Sequence, residues 1–514
     1  MAAATAPATA RGGPGSNVPR PRRGGPVSAA VVVVVLAVLY AGTLLRDVGG
    51  PTDTAKFDYL GSVLGTAHQP GYPTYTMLLA VAVRVVPGED ALVANGLSAA
   101  CTVGAAVVLL RLLQLLGVRP PLAVAGALLL GVTRTIWSQA VIAEVYGLHL
   151  LLMLGVVLLL ARWSRSGRRA ELVLGLTLWA FSFSHATSAV LLAPGVLALV
   201  LLVDRRALVD LRVLGWLPLY AAAALLPYGY ILWRTLDPGT VYLEASFRSL
   251  GDFVSMVRGE VYAGQMFAFS PAEMVTSRAL LVWQDLVAQP LAWAVVPALV
   301  GLVARRRDPV TWLLLLVWAT VAVWGAGYDI PDVEVAFVVG HAALVALAVL
   351  GAETLLVRAG QPLAAALAAA SLLTPAAVAL GNRGGAEIAL GDDGAAGKVR
   401  QALDVLAEDG GVVWTSRYHQ LNYFLLGQGV QAQHDVYAAY PLPLTTISAY
   451  CRGDLATAGT ALGQNRSVES PPEGLPLYAL GAPYIAQLEA QGYDLEPATA
   501  ELSRIRCRGP ALEP

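Results

Sequence analysis

The chain has little charge. Of its 514 residues only 13% are Asp, Glu, Lys or Arg, and 56% are hydrophobic, whereas about a quarter of the residues in an ordinary soluble domain are charged. Most of the chain is therefore predicted to lie in lipid. A net charge of -1 also argues against a nucleic-acid partner, because phosphate binding needs a clustered basic surface.

Cysteine is scarce as well. Cys101 lies in an apolar run, and Cys451 and Cys507 lie in the polar C-terminal part. The sequence has no metal-type spacing such as CxxC, which argues against a function in cysteine chemistry. A disulfide between Cys451 and Cys507 is expected if this part lies outside the cytoplasm, and two free thiols are the alternative.

Most of the basic residues are arginines, since Lys56 and Lys398 are the only lysines. Cytoplasmic loops carry an excess of basic residues, so each arginine cluster marks the inner side of the membrane. Between consecutive clusters the chain must cross the membrane an even number of times. The apolar runs then predict a polytopic α-helical membrane protein with about eleven transmembrane helices. The clusters are Arg111 with Arg119, 162–169, 205–212, 305–307, and Arg358.

Three regions follow from this topology. Residues 1–26 have several arginines and no acidic residue, which is typical of a disordered basic tail, here in the cytoplasm. Residues 27–380 form the membrane domain. Residues 381–514 then lie outside the cytoplasm, and their patterns "GKVRQALDVLAEDG", "GVVWTS" and "YHQLNYFLLGQG" alternate between helix and buried strand and predict a small α/β domain.

The first predicted outer loop, "DTAKFDYLGSVLGTAHQPGYPTY", is unusually rich in ionisable groups. Such groups at membrane depth are costly and mark a function unless they pair or reach water. Asp53 and Asp58 accompany a stretch, 57–64, that predicts an amphipathic interfacial helix. One of them would serve as a general base for an acceptor hydroxyl. The alternative, an aspartate that only caps the helix, stays open.

The turn "HQPGYP" follows in the same loop. Pro70 and Pro73 fix the backbone φ angle and Gly71 permits a tight reversal. This stiff turn would hold His68 and Tyr72 in fixed positions, which favours a role in substrate binding. A plain re-entry turn is the alternative.

Three further outer segments carry candidate substrate-binding residues. Glu144 is predicted to pair with Arg134, either to fasten a helix hairpin or to form a site for a sugar and a lipid phosphate. His185, in "FSFSHATS", is either a ligand or a hydrogen-bonded structural residue. Asp329 and Asp332, in "YDIPDVEVAF", suit a sugar's hydroxyls or a divalent cation, and the alternative is a solvated loop with Asp332 as a helix cap.

Four segments taken together resemble a known family. They are "DTAKFDYLGSVLGTAHQPGYPTYTMLL", "WSQAVIAEVYGLHLLL", "SFSHATSAVLLAPG" and "GYDIPDVEVAF", and in this order they are similar to the transmembrane protein O-mannosyltransferase-like family, formerly a domain of unknown function. That family belongs to the GT-C glycosyltransferase superfamily. The resemblance covers residues 53–337.

The resemblance implies a GT-C-like membrane enzyme that transfers a sugar from a polyprenyl-phosphate donor. Asp53 matches the leading residue of the family's "D-x-x-E-F" pattern and becomes the catalytic candidate. Glu144 and Tyr146 match its "EVY", and 68–73 match its "HPxGYP" turn. The chain departs from the family at two positions, where Lys56 replaces the usual Glu and Gln69 the usual Pro. The Lys56 departure implies either an altered site, with a cation that lowers the pKa of Asp53 or binds phosphate, or a lost activity.

The leading hypothesis is therefore a glycosyltransferase that places a sugar, with mannose as one candidate, on a protein or glycan acceptor at the outer face. Arg134 or Arg234 would hold the donor phosphate. A transporter or flippase of a lipid-linked substrate and a catalytically silent scaffold in envelope assembly are the alternatives. No cofactor is certain and a divalent cation is left open. The composition is typical of a GC-rich bacterial genome and hence of a plasma-membrane protein.

Overall fold

The computed structural model describes residues 25–50, 53–389, 394–440, 444–463, 465–466 and 472–508, and in 383–389 the backbone only. The predicted basic tail, residues 1–26, lies outside these ranges except for its last two residues. The helices of the membrane part are α1 (Pro26–Thr43), α2 (Thr54–Val63), α3 (Pro73–Val85), α4 (Asp90–Leu115), α5 (Pro120–Val132), α6 (Arg134–Ala140), α7 (Tyr146–Ser166), α8 (Arg169–Ser182), α9 (Ala193–Asp204), α10 (Leu211–Leu214), α11 (Leu217–Leu225), α12 (Tyr228–Leu236), α13 (Leu250–Arg258), α14 (Pro271–Val275), α15 (Ser277–Ala288), α16 (Val295–Ala304), α17 (Pro309–Gly327), α18 (Val338–Arg358) and α19 (Gln361–Ala389).

The chain is a multi-pass membrane protein. Among the described residues, 7 helices are long and apolar enough to cross a bilayer, and the number rises to 10 if each of three bent helix pairs is one span. Between Arg169 and Asp204 the chain forms α8, with 14 residues, and then a 3-10 turn (Thr187–Leu192) followed by α9. The total of about eleven spans stays a prediction.

Small residues let the membrane helices approach closely. The most extreme case joins α16 and α18, where a Cβ on Gly351 would lie 1.7 Å from the carbonyl oxygen of Pro297. Such contacts between small residues are a main source of helix association in lipid, since burying apolar surface gains little there. The central helix α18 is buried along most of its length as a result.

One end of the helix bundle carries the predicted cytoplasmic arginines, and several of them pair with acids. Arg119 lies 3.0 Å from Glu353, and Arg162 lies 3.0 Å from Glu171. Arg165 pairs with Asp308 across two helix hairpins. The C-terminal domain lies at the opposite end of the bundle, the outer end.

The sequence predicted that α2 is an amphipathic helix at the membrane surface, and this prediction is wrong. Every residue from Thr54 to Gly61 is buried, because α3 and α4 cover one side of the helix and α21 with the following π turn (Tyr423–Gly427) covers the other. The amphipathic pattern therefore reflects burial between two protein layers rather than contact with a membrane surface.

The C-terminal domain is a small α/β unit around a five-stranded sheet with the strand order β2-β1-β3-β5-β4. Strands β1, β2 and β3 run parallel, and β5 is antiparallel to both β3 and β4. A disulfide joins Cys451 and Cys507. The elements are α20 (Ala395–Asp409), β1 (Gly411–Thr415), α21 (Tyr418–Asn422), α22 (Val430–His434), β2 (Val436–Ala439), α23 (Thr445–Cys451), α24 (Leu455–Gly459), β3 (Leu477–Leu480), α25 (Ala482–Ala490), β4 (Asp494–Pro497) and β5 (Leu502–Arg506).

Candidate active site

A cavity of about 300 Å³ opens between the membrane helices at the outer end. Its polar lining includes Asp53, His68, Arg258 and Asp332 together with several tyrosines. Its apolar lining comes from α17, α18, the 3-10 turn before α9 and the 3-10 turn before α18 (Val333–Phe337). It includes Leu191, Leu192, Val321, Trp324, Val335, Val338 and Val339. One space thus offers both a polar and an apolar surface.

Asp53 stands immediately before α2, and its carboxylate does not cap that helix. Its carbonyl oxygen accepts the amide hydrogens of Lys56 and Phe57, but its side chain makes no capping hydrogen bond. Instead Oδ1 lies 2.9 Å from Lys56 Nζ and Oδ2 lies 3.2 Å from His68 Nδ1. The capping interpretation of Asp53 is therefore wrong, and the carboxylate, 34% exposed, faces the cavity.

Lys56 is the centre of this cluster. Its ammonium lies 2.9 Å from Asp53, 2.9 Å from Glu244 Oε2 and 3.0 Å from His68 Nδ1, and its side chain is only 1% exposed. Glu244 comes from the loop between α12 and α13. An ammonium can only donate, so Nδ1 of His68 accepts and the imidazole proton lies on Nε2.

The charges of the cluster are set by burial and by each other. Burial raises the pKa of Asp53, but the ammonium of Lys56, and at acid pH the protonated imidazole of His68, outweigh it, and the pKa lies below its usual value. Burial, and next the charge of Lys56, lower the pKa of His68 to about 4. Burial also opposes the charge of Lys56, yet Glu244 and Asp53 raise its pKa. At neutral pH the cluster therefore holds an ionised Asp53, a charged Lys56 and a neutral His68.

The "HQPGYP" turn positions its side chains as the sequence predicts. Gly71 has a φ of +95°, and its amide donates to the carbonyl of His68 at 2.7 Å. A Cβ at Gly71 would lie 2.3 Å from a side-chain carbon of Ile231, so only glycine fits. The turn holds the rings of His68 and Tyr72 edge to face, with 5.3 Å between their centroids, and both residues line the cavity.

Of the other candidates, two line the cavity and two lie directly behind its lining. Tyr146 and Asp332 line the cavity with Asp53, His68 and Tyr72, and Asp332 makes no capping hydrogen bond. Glu144 and His185 are buried behind the lining. Glu144 accepts a hydrogen bond from Thr54, next to Asp53, at 3.3 Å, and the ring of His185 lies 6.1 Å from that of Tyr72. Both can support the site without reaching its contents.

Three candidates lie away from the cavity lining. Asp58 is buried on α2, and Arg134 and Asp329 are exposed. The predicted pair of Arg134 with Glu144 does not form, because α6 begins at Arg134 after a bend of 70° from α5 and Glu144 faces Thr54 instead. Arg234 does not reach the cavity either, since it is buried and pairs with Asp237 at 2.6 Å.

The sequence reasoning missed several side chains of the site. Arg258 and Tyr262 come from the end of α13 and the turn after it, and His149 lies one turn into α7. His149 belongs to the quoted "VYGLHLLL" segment and could have been found there. Glu244 and Arg258 belong to no recognisable motif. Only the fold shows that α13 and the loop before it lie next to the cavity.

Among the described residues, no group of three or more His, Cys, Asp or Glu side chains is placed to hold a metal ion. Asp329 and Asp332 do not meet as a metal pair, because Asp332 faces the cavity and Asp329 is exposed.

The fold is that of the GT-C glycosyltransferases. The chain is similar to ArnT from Cupriavidus metallidurans bound to undecaprenyl phosphate, with 13% identity, a TM-score of 0.60, and coverage of 96% of this chain and 100% of ArnT. It is also similar to an oligosaccharyltransferase from Archaeoglobus fulgidus tethered to an acceptor peptide, with 14% identity, a TM-score of 0.50, and coverage of 93% and 74%.

A comparison of the sequence with family models gives a more specific result than the structural similarity. Residues 53–209 match the family model described as the protein O-mannosyl-transferase TMEM260 N-terminal domain. This confirms the resemblance that the sequence motifs indicated, and the matched stretch begins at Asp53. The search of curated proteins found no match.

Proposed function

We propose that this protein is a membrane glycosyltransferase that moves a sugar, with mannose as the first candidate, from a polyprenyl-phosphate donor to a hydroxyl of a protein or glycan at the outer face of the plasma membrane. Three findings support the class of reaction: the GT-C fold, the O-mannosyl-transferase family match, and a structural neighbour that binds undecaprenyl phosphate. The N-terminus would be cytoplasmic and the C-terminal domain extracytoplasmic.

The two-sided cavity suits such a donor. Its apolar lining from α17 and α18 fits a polyprenyl chain, which gains by leaving contact with water. Arg258 is the arginine among the described lining residues, and a guanidinium binds a phosphate in a bidentate manner. Arg258 therefore replaces Arg134 and Arg234 as the candidate for holding the donor phosphate.

The chemistry follows from the ionised carboxylate at the polar end. Asp53 would accept the proton of the acceptor hydroxyl as that oxygen attacks the anomeric carbon of the sugar. The bond between the anomeric carbon and the phosphate oxygen breaks, and the polyprenyl phosphate leaves with the electron pair. A single direct displacement of this kind inverts the configuration at the anomeric carbon.

The remaining lining residues suit a sugar. Asp332 can accept hydrogen bonds from sugar hydroxyls, while Tyr72, Tyr146 and Tyr328 offer aromatic faces and hydroxyl groups around the same space. Glu144 and His185 would act as positioning residues through Thr54 and Tyr72. These assignments predict that the sugar lies between Asp53 and Asp332.

The observation that carries the proposal is the Asp53 carboxylate in the lining of a cavity that also has an apolar side. The test uses the full chain, purified in detergent, with labelled polyprenyl-phosphate sugars and a mixture of membrane-protein acceptors. We expect Asp53→Asn to lose about 1,000-fold in transfer, within the usual range for a general base.

Asp252→Asn is the matched control, because Asp252 is exposed and only caps α13 in the same outer region. Full transfer by Asp53→Asn would overturn the assignment of the base. Movement of the labelled lipid across vesicles without bond formation would favour the transporter alternative.

A further inference from the structure

Lys56 is surrounded in a way that a single salt bridge does not require. Three acceptor atoms from three separate segments converge on its ammonium: Asp53 at the start of α2, His68 in the turn, and Glu244 in the loop after α12. All three distances lie between 2.9 and 3.0 Å. Glu244 is largely buried as well, with 21% of its side chain exposed.

Two carboxylates and an imidazole around one point are a donor set that proteins use for divalent cations, with ligand distances of about 2.0–2.2 Å. Here the Lys56 ammonium, and not a metal ion, lies between the three acceptor atoms. The donor atoms lie about 0.8 Å further out than metal ligands would, as expected around an ammonium. Burial of two acids so close together would be costly without that charge.

We propose that the Lys56 ammonium is the built-in cation of this site, taking the place that a divalent metal ion would otherwise occupy between Asp53 and Glu244. Lys56 is thus a positioning residue that holds the Asp53 carboxylate in place. The consequence for transfer, that it proceeds without a divalent metal at Asp53, rests on the proposed function. The consequence for metal binding does not.

The direct test is Mn²⁺ binding to the purified full chain, read by the electron paramagnetic resonance signal of free Mn²⁺. We expect no saturable site in the wild type and one site per chain in Lys56→Ala, which removes the ammonium and leaves its three partners. Adding Asp53→Asn to that variant should abolish the site. Lys398→Ala is the control, because Lys398 is the only other lysine and pairs with Glu501 in the C-terminal domain.

Stability gives a second readout. Because Lys56→Ala leaves two acids facing each other, the variant is purified with Mn²⁺, and its thermal unfolding midpoint should rise with Mn²⁺ concentration while that of the wild type does not. Failure of Lys56→Ala to bind Mn²⁺, or to fold with Mn²⁺ present, overturns the proposal. An Asp53-dependent Mn²⁺ site in the wild type overturns it as well.

Transfer assays separate this inference from the proposed function. Wild-type transfer should be the same with and without chelator, and Lys56→Ala should lose about 100-fold and regain part of that loss with Mn²⁺. Loss of wild-type transfer in chelator contradicts the inference. If the wild type transfers no sugar at all while Lys56→Ala binds Mn²⁺, the proposed function fails and the built-in cation stands.

Discussion

The two ends of the helix bundle use charge differently. At the arginine-rich end Arg119, Arg162 and Arg165 each pair with an acid on another helix or hairpin. At the outer end one lysine is shared by two acids, and Arg258 has no ion-pair partner within the described ranges. Matched charges fasten helices to each other, whereas unmatched charges beside a cavity point to a ligand.

The comparison also explains why the sequence alone pointed to Arg134 and Arg234 and not to Arg258. The sequence around an arginine near a transmembrane helix does not show whether its guanidinium pairs with an acid or is free to bind a phosphate. Arg234 and Arg258 both lie in the outer region, but Arg234 is buried against Asp237 and Arg258 faces the cavity. Pairing, which only the fold shows, is the property that separates them.

Among the paired and unpaired basic residues, the largest effect is expected from removing the unpaired Arg258. Arg258→Ala should lower kcat/KM for the lipid-linked donor by about 100-fold, since a charge-assisted contact to phosphate contributes roughly 1.5–3 kcal/mol. The loss should appear mainly as a raised KM for the donor, and thermal stability should not change. Steady-state transfer with varied donor concentration measures it.

Arg248→Ala is the matched control. Arg248 is an exposed arginine just before α13, the helix that ends at Arg258, and it is absent from the cavity lining. Equal activity of the two variants would show that the phosphate is held elsewhere. It would also remove the distinction between paired and unpaired arginines drawn above.

Sequence patterns predicted the fold class and part of the site. The arginine clusters and apolar runs indicated a polytopic helical protein, and the "GKVRQALDVLAEDG" and "GVVWTS" patterns became α20 and β1. Motifs close to each other in sequence, such as Asp53 and the "HQPGYP" turn, were placed together correctly. The disulfide between Cys451 and Cys507, left open by the sequence, is formed.

Contacts between distant segments escaped the sequence. Glu244, in the loop before α13, and Arg258, at the end of α13, belong to no motif. The burial of α2 depends on the C-terminal domain, more than 350 residues later. His419 of that domain shows the coupling, since its Nδ1 lies 3.2 Å from the Tyr59 hydroxyl across a sequence separation of 360. Periodicity reports which residues are buried but not which partner buries them.

A smaller effect is expected from pH, again at the outer end only. Burial, and next the charge of Lys56, lower the pKa of His419 to about 3, and that of His68 to about 4. In the unfolded chain both histidines would bind protons near pH 6.5. Between pH 6.5 and 4 the unfolded state therefore binds more protons than the native state, and stability falls as the pH is lowered.

His419→Gln tests this prediction, because Gln has no titrating group and keeps a polar partner for Tyr59. The thermal unfolding midpoint of the wild type should fall as the pH decreases from 6.5, and the fall should be smaller in His419→Gln. His434→Gln is the control, since His434 is a partly exposed histidine of the same domain. Parallel curves for wild type and His419→Gln would contradict the prediction.

The smallest effect is expected at the arginine-rich end, where the charges are paired. Arg162 pairs with Glu171, but its side chain is 51% exposed, so water and salt screen the pair and its contribution to stability is about 1 kcal/mol or less. Arg162→Ala should leave transfer unchanged and lower the thermal midpoint only slightly. A large loss of transfer would mean that this end communicates with the cavity, and matched pairing would then no longer distinguish structural charges from functional ones.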